Sequence, residues 1–93
     1  MPRMQRRTCH FSGRVQGVGF RYTVNHTAMR YAVRGYVRNL PDGRVELVME
    51  GVENEMDTLV DDVKRQMSGF IKDVKCETSP ATGEFQEFSV RHR

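Results

Sequence analysis

Cys9, Phe11 and Gly13 alternate with Thr8, His10 and Ser12, and this period of two predicts a strand from Thr8 to Val15 with one covered face. From Phe20 the period lengthens. Phe20, Val24, Ala28 with Met29, and Ala32 recur at helical spacing, predicting a helix that ends before Gly35. Alternation returns over Val33 to Asn39, with Gly35 and Val37 on one face and Tyr36 and Arg38 on the other. Leu40-Pro41-Asp42-Gly43 reads as a hairpin turn, since proline fixes φ and the Asp-Gly pair accommodates a left-handed residue. A third strand over Arg44 to Glu50 turns Val45, Leu47 and Met49 inward and Arg44, Glu46 and Glu50 outward, with Val48 an apolar exception on the outer side. Met56, Leu59, Val60, Val63 and Met67 stripe a second helix from Glu53 to Met67. Its acids stand early and its bases late, as the helix dipole favours. Phe70 to Glu77 predicts a fourth strand. Phe85 to Arg91 predicts a short last one, whose pairing partner the pattern does not specify.

The order β-α-β-β-α-β, with right-handed crossovers, predicts an α+β sandwich of the ferredoxin-like type: two helices on one face of an antiparallel sheet, plus a short C-terminal strand. In that arrangement the first and third strands are central. The first and second run parallel, so their C-terminal ends share one edge. The loop Gln16 to Arg21 and Asn39 are therefore expected close together.

The length of 93 residues fits one domain, 1–93, with 1–6 expected to be a disordered N-terminal tail. A formal charge of +3 is mildly basic, and Arg3, Arg6, Arg7, Arg91 and Arg93 read as solvated ends. Cys9 and Cys76 belong to no C-x-x-C pair and stand near no histidine cluster, so no zinc site is expected. Free thiols in a reducing cytoplasm are the expectation, with a disulfide only if both fall on the core faces of neighbouring strands. The N-terminus shows no signal peptide and the chain no transmembrane run, so a cytoplasmic protein without a membrane partner is expected.

The candidate chemistry lies in Gly13-Arg14-Val15-Gln16-Gly17-Val18-Gly19-Phe20-Arg21, where a strand gives way to a helix. Glycines tolerate positive φ, so a G-x-G turn can aim successive N–H groups into one concavity. The unpaired N–H groups of a helix start and the dipole add to it, making an anion site of Gln16, Gly17, Val18, Gly19 and Phe20. Arg21 supplies a planar cation suited to phosphate. Asn39, with a donor and an acceptor, can orient a water beside it; its bland alternative is an Asx contact into the turn that follows. Neither segment holds a histidine, cysteine, carboxylate pair or acidic Mg²⁺ cluster, which limits the nucleophile to water. A rival reading, RNA on the open sheet face, lacks aromatic residues on the two central strands there and meets Glu46 and Glu50. A catalytically silent protein–protein module is the remaining alternative.

The first segment resembles the first signature of the acylphosphatase family. Gly35-Tyr36-Val37-Arg38-Asn39-Leu40-Pro41-Asp42-Gly43 resembles the second, with Tyr36 where many members have tryptophan, and Phe88-Ser89-Val90-Arg91 is similar to the family's C-terminus. The resemblance implies a small cytosolic hydrolase, expected as a monomer, that cleaves the carboxyl-phosphate bond of acyl phosphates without metal or cofactor. It implies that Arg21 and the loop N–H groups bind the phosphoryl group and that Asn39 positions the attacking water. Inorganic phosphate is then product and inhibitor, and nucleic acid is no partner. The zinc-finger extensions of larger hydrogenase-maturation proteins with a similar domain are not seen, so carbamoyl transfer is not expected.

Overall fold

In the computed structural model residues 3–92 are described; Met1, Pro2 and Arg93 lie outside them. The elements are β1 (Met4–Gly13), α1 (Phe20–Ala28), β2 (Arg34–Asn39), β3 (Val45–Val52), α2 (Glu53–Gln66), β4 (Ile71–Pro80) and β5 (Phe88–Arg91). They form one sheet in the order β4-β1-β3-β2-β5, with both helices packed on one side. The central pair carries the core. Cys9 lies opposite Leu47, Phe11 opposite Val45, and Val37 opposite Leu47, so these side chains share the helix-facing side. Phe20, Val24 and Ala28 of α1 and Met56, Leu59 and Val63 of α2 close over them. The Phe11 and Phe20 rings meet at 5.1 Å, at a tilt of 59°, fixing the start of α1 against the end of β1. This is the ferredoxin-like architecture that the pattern predicts.

Several expectations are corrected. The sheet is mixed, because β5 runs parallel to its partner β2. β1 begins at Met4, so residues 4–6 belong to a strand and not to a disordered tail. Arg6 and Arg7 are not solvated ends. Arg6 pairs with Glu50 and Glu84, while Arg7, itself buried, reaches Asp57 on α2. An arginine stem can lie along apolar surface while its head finds a carboxylate, so a strand face can continue through charged residues. α1 stops at Ala28, four residues before Ala32, because Arg30 and Tyr31 donate to Thr27 and Ala28 in tight i→i−3 bonds. The cysteines are not free thiols: the β1–β4 register sets Cys9 against Cys76, and the two form a disulfide.

β4 and β5 occupy opposite edges of the sheet, so the chain between them must cross it. Residues 81–87 do so on the side away from the helices. Glu50 of β3 accepts hydrogen bonds there from the N–H of Thr82 (2.8 Å) and of Gly83 (2.9 Å), and from Arg6 Nε (2.9 Å). Phe85 packs edge-on against Tyr36 at 5.8 Å, and the Arg91 guanidinium stacks 3.8 Å above the same ring. The sheet face considered above for RNA is thus crossed by the chain itself. Val48, the apolar exception, is buried on it between Thr8 and Tyr36.

Candidate active site

The turn between β1 and α1 begins where Arg14 N–H bonds to the Phe70 carbonyl at 2.9 Å, next to the irregular register that ends the β1–β4 ladder. Gly17 and Gly19 then take φ of 77° each, with Val18 between them on the negative side. This alternation turns successive N–H groups toward one concavity. Among the described residues, no backbone N–H of residues 16–20 makes a hydrogen bond within the chain. Gly19 is also the N-cap of α1, and no side chain caps that helix. The positive end of the helix therefore adds to the exposed donors.

Two contacts hold the loop beside β2. The Gln16 side-chain amide donates to the carbonyls of Leu40 (2.8 Å) and Arg44 (2.9 Å), tying the loop to the turn after Asn39. Arg21 donates through Nη1 to the Arg91 carbonyl at 3.2 Å, with His92 Nδ1 at 3.4 Å. Among the described residues Arg21 has no carboxylate partner. Its charge is without an ion-pair partner among these residues, while one edge of its fork is fixed.

Asn39 closes β2 facing the same space. Its Oδ1 is buried and, among the described residues, has no hydrogen-bond partner. Leaving a buried acceptor unpaired costs about 1–3 kcal/mol, so such an atom marks a place for a water or ligand. The Asx contact into the turn is made by Asp42 instead, whose Oδ1 accepts from Arg44 N–H at 3.1 Å. That bond and the Arg44 side chain hold the Asp42 carboxyl below its usual range.

These pieces line one cleft of about 450 Å³, bounded by Gly17, Gly19, Arg21 and Asn39 among others. Of the residues expected from the sequence, Gly17, Gly19, Phe20, Arg21 and Asn39 line this cleft, while Gln16 and Val18 do not. The sequence expectation missed the Gln16 side chain, which nothing in the pattern separates from its backbone role. It also missed Tyr22, Asn25, Val90 and His92. Tyr22 and Asn25 could have been found, since they flank Arg21 on the first turns of a helix. Val90 and His92 could not, because Val90 lies on β5 and His92 directly follows it, and the pattern does not specify that strand's partner. His92 corrects the expectation that histidine is absent from the site.

A ferredoxin-like sandwich with an anion cleft between its first turn and the end of its second strand defines a narrow class of small α+β proteins. A family model described as acylphosphatase matches residues 7–90. An acylphosphatase of Syntrophus aciditrophicus is 43% identical over 90 residues, spanning 94% of this chain and 92% of its own. One of Paenarthrobacter aurescens is 41% identical over 86 residues, spanning 91% of this chain and 92% of its own. The crystal structure of acylphosphatase from Bacillus subtilis superposes with a TM-score of 0.81 at 35% identity, covering 96% of this chain and 99% of that one. The chain belongs to the acylphosphatase family and is an enzyme that hydrolyses acyl phosphates.

Proposed function

We propose that the enzyme transfers the phosphoryl group directly to water, with Arg21 and the N–H groups of Gln16, Gly17, Val18, Gly19 and Phe20 holding it and Asn39 orienting the nucleophile. The buried, unpartnered Oδ1 of Asn39 carries this reading. A water donating one O–H to that oxygen keeps a lone pair free for phosphorus in the neighbouring nest. As the water oxygen bonds to phosphorus, the bond from phosphorus to the acyl oxygen breaks and its electrons leave with the carboxylate. The water proton passes to solvent. Negative charge on the equatorial oxygens is met by fixed donors and by Arg21, which need no reorganisation. A carboxylate is a good leaving group, so a cleft whose lining residues include no carboxyl group suffices.

Metal-independent turnover belongs to this proposal, and among the described residues no group of three metal-ligating side chains is found. One chain supplies every residue invoked, so a monomer is competent. Among the described residues no helix is long and apolar enough to cross a membrane. A cytoplasmic setting, also part of the proposal, requires the Cys9–Cys76 bridge to be dispensable or to persist there; thiol titration of freshly lysed cells decides which.

The test is phosphate release from acetyl phosphate in the presence of EDTA. Arg21→Gln should lower kcat/KM about a thousandfold and weaken inhibition by inorganic phosphate. Asn39→Ala should lower kcat about a hundredfold or more while phosphate inhibition persists. Near wild-type turnover by Arg21→Gln would sink the assignment.

A further inference from the structure

In-line displacement requires the phosphorus and the attacking water to be held at a fixed spacing. Here the two are held by separate elements: the nest is the turn around Gly17 and Gly19, and Asn39 ends β2. The Gln16 side chain joins them. Its amide donates across 24 residues to the Leu40 carbonyl at 2.8 Å and across 28 to the Arg44 carbonyl at 2.9 Å. Two carbonyl oxygens facing one end of an amide can be met only by its NH₂ group, so both donors are used and the orientation of the side chain is settled. Among the described residues no other hydrogen bond joins residues 16–20 to residues 39–45. Gln16 does not line the cleft, so its side chain stands apart from the reacting atoms.

The two carbonyls belong to the turn that carries Asn39. Leu40 directly follows it. The Leu40 N–H donates to the Arg44 carbonyl at 2.8 Å, and the Leu40 carbonyl accepts from the Gly43 N–H at 3.2 Å. The turn closes on itself, and Gln16 holds both of its acceptors. Asn39 Oδ1 has no partner of its own among the described residues, so its direction follows from where the turn holds the backbone. We propose that the Gln16 side chain is the positioning group of the hydrolytic step: it sets the spacing between the nest and Asn39 and so aims the water at phosphorus. This rests on Asn39 orienting the nucleophile. Without the amide the loop is free to shift against β2, and a displacement of about 1 Å in such a geometry can cost about a hundredfold in rate. Phosphate binding asks less of it. That step uses the nest and Arg21, and Arg21 is tied separately, through the Arg91 carbonyl.

The experiment is a double-mutant cycle on phosphate release from acetyl phosphate, with Gln16→Met and Asn39→Ala made singly and together. Methionine keeps the length of the side chain and removes both donors. The Leu40 and Arg44 carbonyls keep their backbone partners, so Gln16→Met should fold, as should Gln16→Ala. Each should lower kcat about thirtyfold, while the inhibition constant of inorganic phosphate moves less than about threefold. In the Asn39→Ala background Gln16→Met should lower kcat by about threefold or less, because the group it positions is gone. Equal losses in the two backgrounds would overturn the proposal. So would a wild-type kcat in Gln16→Met, or a phosphate inhibition constant that rises in step with the loss of kcat, since the effect would then lie in the nest. If neither Gln16 variant folded, the tie would serve the fold and not the water, and the proposal would fail as well. Asn39→Ala alone tests the underlying reading: full turnover there would remove Asn39 from the reaction whatever Gln16 does.

Discussion

Two groups of backbone N–H donors among the described residues differ in what they meet. On the sheet face away from the helices, the amides of Thr82 and Gly83 converge on Glu50, with Arg6 beside it. At the start of α1, residues 16–20 present N–H groups with no acceptor among the described residues, with Arg21 beside them. Both combine amides with an arginine, the chemistry of an anion site. One is closed by a carboxylate from the chain's own third strand and fastens the crossing segment. The other has no such partner among the described residues, and the proposed mechanism gives it an anion from outside. On that proposal the same device is structural where the chain supplies the anion and functional where it does not.

Breaking the closed site tests this most severely. Glu50→Ala strands the Thr82 and Gly83 amides and leaves Arg6 with Glu84 and the Thr82 hydroxyl. The expected loss of stability is about 3 kcal/mol, a fall in Tm of more than about 10 °C by calorimetry. Glu50→Gln keeps an acceptor and should lose less. Turnover of the folded fraction, assayed well below Tm, should stay within about threefold of wild type in either variant, because Glu50 lies outside the cleft lining. Acid should imitate the mutation. Burial works to raise the Glu50 pKa, but the amides of Thr82 and Gly83, Arg6 and the Thr82 hydroxyl together hold it below the usual range. A lowered folded pKa means the stabilisation is complete above the ordinary carboxylate range, about pH 4, and is lost as pH falls through the depressed value. The slope of stability against pH in that acid window should be shallower in Glu50→Gln.

The open site should respond the other way. At Gly19, φ is 77° and a methyl group would meet nothing within 4 Å. Gly19→Ala therefore folds, at about 1–2 kcal/mol for the left-handed backbone. Relaxation of that strain turns the N–H groups out of line, and kcat/KM should fall about tenfold. A variant that lost stability and kept full activity would place Gly19 with the structural devices.

How much of the contrast could be read beforehand depended on whether a signal was local. The nest was legible because G-x-G followed by arginine at a strand–helix boundary fixes its own geometry. Asn39 was legible because parallel first and second strands share an edge. The Glu50 site was not, since the pattern showed only an outward acid on one strand and a loop thirty residues later. Its partners meet because β4 and β5 take opposite edges, and the position of β5 depends on a parallel pairing with β2 that leaves no periodic trace. The same gap hid Val90 and His92. The disulfide needed the β1–β4 register, which pairs two strands far apart in the sequence. The strand through Arg6 and Arg7 was hidden by charge, although those charges turn out to be paired.

The finest test uses inorganic phosphate as a probe of the two sites without chemistry. A ligand bound only by the native state adds RT ln(1 + [L]/Kd), about 1.4 kcal/mol at ten times Kd, or roughly 6 °C or more in Tm. Wild type should show this increment. Arg21→Gln should lose most of it, because the nest is left without its cation, and Gly19→Ala should shift it to higher phosphate. Glu50→Gln should start from a lower Tm and gain the same increment, since its anion site is filled by the chain and cannot exchange with solution. Equal increments in wild type and Glu50→Gln mean that the two sites are energetically separate. A lost increment in Glu50→Gln would mean that the crossing segment holds β5, and through the Arg91 carbonyl holds Arg21, so tightly that the closed site sets the geometry of the open one.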